Sequence, residues 1–72
     1  LTINGLRDNS EIKIMTLNGI VIKTIYQSEV KGYQAYWNGL DDQGNLVGSG
    51  VYLIAIYNND SSTIEKVAVI RG

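Results

Sequence analysis

The stretch Trp37-Asn38-Gly39-Leu40-Asp41-Asp42-Gln43-Gly44-Asn45-Leu46-Val47-Gly48-Ser49-Gly50-Val51-Tyr52 decides how this chain folds. It holds the only tryptophan, four of the eight glycines and two of the seven acids. It leads into residues 51–57, the most apolar run in the chain. Aspartate favours the start of a turn, and Gly44 suits a left-handed position near its end, so residues 41–45 read as a turn. Leu46 and Val47 can pair briefly before Gly48-Ser49-Gly50 bends the chain again. Residues 51–57 are apolar on both faces, as a central strand requires. Tyr52, Ile54 and Ile56 share one face; Val51, Leu53, Ala55 and Tyr57 share the other.

Working outward, residues 11–17 alternate, with Ile12 and Ile14 on one side and Glu11 and Lys13 on the other. That period of two argues a half-buried strand. Asn18-Gly19 and a second apolar run, residues 20–25, follow. An Asn-Gly pair between two such runs predicts a hairpin with a type I′ turn. Residues 1–4 read as a first short strand and residues 7–10 as a turn. Residues 28–32 read as a loop, and residues 33–37 as a strand carrying Tyr33, Ala35 and Trp37 on one face. Residues 58–62 turn the chain back into a last strand, residues 63–70. About seven short strands with turns every 8–12 residues or so, and no helical period, predict an antiparallel β-sandwich. Lys13, Lys23 and Lys66 are placed to protect edges or faces.

Seventy-two residues make one domain, residues 1–72. A chain this short buries only about 60% of its unfolded surface and is marginally stable. It has no cysteine and no histidine, so neither a disulfide nor the usual kind of zinc site can staple it. Either the sandwich is self-sufficient or it leans on a neighbouring domain of a longer chain, and the start at Leu1 without an initiator methionine fits a piece of such a chain. No apolar run approaches the ~20 residues of a membrane span. The net charge is −1, with six bases and seven acids scattered singly. That pattern lacks the basic stripe of a nucleic-acid binder.

The chemistry on offer is sparse. Without His or Cys most nucleophile and general-base arrangements are missing, so no catalytic residue and no cofactor is assigned. Asp41 and Asp42 are adjacent and cannot face each other across a substrate as a glycosidase pair must. Residues 41–45 lack the full alternation of oxygen ligands and the closing glutamate of a calcium loop, so they read as a β-turn with solvated carboxylates and no metal is assigned. Trp37 with the tyrosines could form a sugar-stacking platform; a core tryptophan capped by tyrosine rings is the reading preferred here. The second face of the 51–57 strand, with Met15 and Leu17, must be covered by the chain itself, by a neighbouring domain or by a partner.

Four segments carry a family resemblance: Leu-Asn-Gly-Ile-Val at 17–21, Gly-Tyr-Gln-Ala-Tyr-Trp-Asn-Gly at 32–39, Asp-Asp-Gln-Gly-Asn-Leu-Val-Gly-Ser-Gly-Val-Tyr-Leu at 41–53, and Glu-Lys-Val-Ala-Val-Ile-Arg at 65–71. Together they resemble the C-terminal domains of type IX secretion system proteins of the Bacteroidetes, and among these the tails of PorZ-like proteins, which follow two β-propellers. They are similar, too, to the Ig-like domain of the flagellar hook-cap protein. Asn38 and Thr16 stand where aspartate is commoner in the secretion family, and the long 41–45 turn is nearer the hook-cap type.

The resemblance implies an all-β, Ig-like sandwich of seven strands and a non-catalytic domain. Such a domain is recognised by the secretion machinery for passage across the outer membrane and surface attachment. It implies Gly19, Trp37, Gly39, Gly44, Gly50 and Tyr52 as structural positions. It implies Lys66 and Arg71, in the last strand, as recognition residues. The implied partners are secretion and sortase proteins, with anionic lipopolysaccharide as a surface anchor, and the implied location runs from periplasm to cell surface. A hook-cap type assembly module and a carbohydrate-binding or spacer module are the alternatives.

Overall fold

The computed structural model describes residues 1–7, 9–59 and 61–70. Six strands appear among them: β1 (Thr2–Ile3), β2 (Glu11–Met15), β3 (Val21–Ile25), β4 (Ala35–Tyr36), β5 (Gly50–Tyr57) and β6 (Ser62–Val69). All pairings are antiparallel. β1 and β4 form a two-stranded sheet, and the other four form a sheet in the order β3-β2-β5-β6. No α-helix occurs among the described residues; a short 3-10 turn spans Gln27–Glu29 and overlaps the start of the expected 28–32 loop. The expected seventh strand at Leu46-Val47 is a single bridge between Leu46 and Leu40. Two flanking glycines leave that segment too short to build a ladder.

The period-two alternation does what it should. Ile12 and Ile14 of β2 face Ile56 and Ile54 of β5, while Lys13 faces Ala55 and Met15 faces Leu53. The first set joins Ile25, Trp37, Ala35, Ile3, Leu6, Val30 and Val47 in one core between the two sheets. β5 lies between β2 and β6 as its two-faced composition demands. Val51, Leu53 and Tyr57 point the other way, where Leu17 is 59% and Tyr57 38% exposed and Leu53 is half-buried. Among the described residues that face is buried at its centre, at Ala55 and Thr24, and exposed towards its margins. Lys23 lies on the edge strand β3 and Lys66 on the edge strand β6, whereas Lys13 sits on the inner strand β2 and guards a face instead.

Two turns differ from expectation. The β2–β3 hairpin is not type I′. Gly19 is left-handed (φ 85°) but Asn18 is not. The Gly19 N–H donates to the Thr16 carbonyl at 2.9 Å, and the Thr16 N–H donates to the Ile20 carbonyl at 2.9 Å. This is the three-residue hairpin loop that ends in a left-handed residue, a second solution open to the same Asn-Gly pair. An irregularity between Ile14 and Met15 then shifts the register.

The primed turn lies elsewhere. Lys31 and Gln34 bridge each other, and the two residues between them, Gly32 and Tyr33, both have positive φ, 60° and 63°. Tyr33 is therefore outside β4 and 63% exposed, not on the buried face with Ala35 and Trp37.

Candidate functional site

Trp37 follows directly on β4 and is 2% exposed. Its backbone N–H donates to the Leu1 carbonyl at 2.8 Å, which continues the β1–β4 pairing. Its indole Nε1–H donates to the Leu40 carbonyl at 2.9 Å, so the ring's one polar atom is satisfied inside the apolar core. Asn38 makes this possible. Its Oδ1 accepts the Leu40 N–H at 3.1 Å and folds the chain back over the indole.

Tyr52 meets the ring edge-on, with centroids 6.0 Å apart and planes at 74°. Its hydroxyl donates to the Gly48 carbonyl at 2.7 Å. Sandwich domains use a similar tyrosine clasp at their corners. Tyr36 is 68% exposed, so it and Tyr33 are not the caps of the tryptophan.

Residues 41–45 are organised from within. Asp41 Oδ1 accepts the Gln43 and Asn45 N–H groups, each at 2.9 Å. The Gly44 N–H donates to the Asp41 carbonyl at 3.0 Å, and Gly44 takes the expected left-handed position (φ 83°). Asp42 reaches across to the edge of the large sheet. Its N–H donates to the Ile22 carbonyl at 2.9 Å, and its Oδ1 accepts the Thr24 N–H at 3.3 Å. The Lys23 ammonium lies 3.7 Å from the same carboxylate.

Asp42 thus occupies two outward main-chain groups of β3, the Ile22 carbonyl and the Thr24 N–H, that a foreign strand would otherwise pair with. Sequence reasoning missed this clasp, because its partners are 18 residues apart in the chain. The 41–45 turn forms as expected and the Asp42 side chain stays 52% exposed, but both carboxylates also accept backbone hydrogen bonds. Among the described residues no group of three or more acids could gather round a cation.

Among the described residues the opposite edge has no such cover. β6 pairs with β5 through all eight of its residues, and Ser62 to Lys66 are all exposed. Alternate residues of an antiparallel edge strand turn their N–H and C=O groups away from the partner strand. Lys66 stands mid-strand on the outer face, opposite Leu53, and is exposed. Arg71 lies outside the described residues. Gly39 is left-handed (φ 80°), and its carbonyl accepts the Val47 N–H at 3.0 Å. Gly50 opens β5. The structure therefore gathers Gly39 and Tyr52 around the Trp37 indole, leaves Gly44 in the exposed 41–45 turn and sets Lys66 apart on the β6 edge. Gly19 serves the distant β2–β3 turn.

No family model and no curated protein matches the chain. Among solved structures it is similar to PorZ, an essential bacterial surface component of the type-IX secretion system of Porphyromonas gingivalis. The two share 32% identity and a TM-score of 0.79 over 97% of this chain. The chain spans 9% of the length of that protein. By this likeness, and by its two antiparallel sheets around one core, the chain is a PorZ-like domain.

Proposed function

We propose that the chain is a non-catalytic docking domain of a secreted protein that works with the type IX secretion system. The observation that carries this is the 32% identity to PorZ over 97% of the chain, at a TM-score of 0.79. The surface supports the same reading. The acids of the 41–45 turn are committed to hydrogen bonds within the scaffold, while among the described residues one sheet edge and the margins of one apolar sheet face lie open. Protein–protein docking uses features of this kind. The proposed partners are proteins of that machinery, met between the periplasm and the outer surface. A preceding domain of the same chain carries the parent's own activity, and anionic lipopolysaccharide is the surface anchor.

Recognition is assigned to the last strand and to the cations Lys66 and Arg71. The test is delivery of the parent protein. Removing residues 66–72 should leave it in the periplasm. Because that deletion also shortens β6, the pair Lys66→Glu and Arg71→Glu is made beside it, with the fold checked by circular dichroism. Normal surface delivery of both variants would refute the assignment.

A further inference from the structure

The two edges of the large sheet are built differently, and the difference specifies a mode of binding. At β3 the Asp42 main chain and carboxylate occupy outward groups at Ile22 and Thr24. At β6 eight residues run in unbroken register with β5, and among the described residues no strand lies on the far side. Among the described residues β6 is therefore the edge better placed for the sheet to grow.

A furrow marks the same place. Three adjoining clefts of about 280, 170 and 240 Å³ follow β6 along its length. The first includes Thr63 and Glu65, the second Glu65 to Val67, and the third Ala68 to Ile70. Asn4 joins the first to the second, and Leu1 joins the second to the third. The facing wall comes from the start of the chain, because β1 is only two residues long and leaves the sandwich open on this side.

Charge decides what can lie there. β6 carries Glu65 and Lys66 at its centre, and they point to opposite faces. A second copy pairing edge to edge about a two-fold axis must match residues that share a face. The two registers that use most of the strand then set Glu65 against Glu65 or Lys66 against Lys66. Like charges directly opposite each other destabilise a strand pair. A foreign strand has no such conflict if it sets a carboxylate against Lys66 and a cation against Glu65.

We infer that β6 accepts an extended strand of a different protein, added antiparallel to the sheet. That strand bears an acid facing Lys66, a base facing Glu65, and apolar residues facing Val67 and Ile64. This inference rests on the last strand being the docking element, and it names the partner's chemistry. The added strand roofs the furrow and directs alternate side chains into it.

The test uses the 72-residue chain with an eight-residue strand of that pattern fused after Gly72 through a short Gly/Ser linker, which holds the probe at high effective concentration. Alternate N–H groups of β6 should exchange with solvent about tenfold more slowly or better, while those of β2 stay unchanged. Exchanging the acid and base of the probe should remove about tenfold of that protection. Combining the exchanged probe with Glu65→Lys and Lys66→Glu should restore it. Unprotected β6 amides, protection that ignores the charges, or a stable dimer of the unfused chain through β6 would each overturn the inference. Such a failure is distinct from normal delivery of the truncated parent, which would instead sink the docking assignment itself.

Discussion

Trp37 carries more of the stability than any other side chain, because it is the largest buried residue and its one polar atom is paired. Trp37→Ala should cost about 3–5 kcal/mol, a large share of what a domain this size possesses. Trp37→Phe keeps most of the apolar contact, gives up the bond to Leu40, and should cost about 1–3 kcal/mol. Urea titration of both variants checks the order; equal losses would mean that the apolar contact retained by phenylalanine contributes nothing beyond the indole bond. Tyr33 is the opposite case. A bulky residue at φ 63° is strained by roughly 1–2 kcal/mol, and its ring is exposed, so little packing offsets that strain. Asparagine tolerates this conformation. Tyr33→Asn should raise the unfolding free energy by about 0.5–1 kcal/mol. A loss of stability on that change would mean that the ring makes contacts its exposure does not suggest.

At the scale of elements, Asp41 and Asp42 are neighbours with separate tasks. Asp41 shapes its own turn through two N–H groups, and Asp42 binds that turn to β3. Asp42→Ala should cost about 1 kcal/mol and quicken exchange of the Thr24 N–H. Asp41→Asn, which keeps the accepting oxygen, should cost less than Asp41→Ala by about 1 kcal/mol. Because these carboxylates already serve backbone donors, adding a calcium chelator should leave the melting midpoint in place; a drop would give the turn a cation. Elements built on local alternation were legible in the sequence: β2, β3, β5 and β6 follow directly from where Ile12, Ile14, Ile54 and their neighbours recur. The turn chemistry was legible only in part, since Asn18-Gly19 satisfies two hairpin loops and strand twist and register decide between them. Tyr33 misled because aromatic residues favour strands, and nothing local announces a tyrosine held in a left-handed turn. The Asp42 clasp was hidden for a different reason: its partners are brought near only by the closed sandwich.

Across the whole molecule, the four-stranded sheet has one face against the core and one face that is exposed towards its margins, at Leu17, Val51 and Tyr57. Adjacent residues of β5 sample both. Ile54 is 5% exposed and belongs to the core cluster, while Leu53 is half-buried among Met15 and Lys66 on the far side. Truncating Ile54 opens a cavity that the surrounding sheets cannot fully close, so Ile54→Ala should cost about 2–4 kcal/mol. Leu53→Ala removes a similar number of atoms, but solvent can take their place and no cavity forms, so its cost should be near 1 kcal/mol. The two variants differ by one position in sequence and by nothing in secondary structure. Their difference in urea midpoint therefore measures how one-sided the core is. If Leu53→Ala proves as costly as Ile54→Ala in the 72-residue chain, the outer face is packed after all, and its apolar residues belong to folding and not to docking.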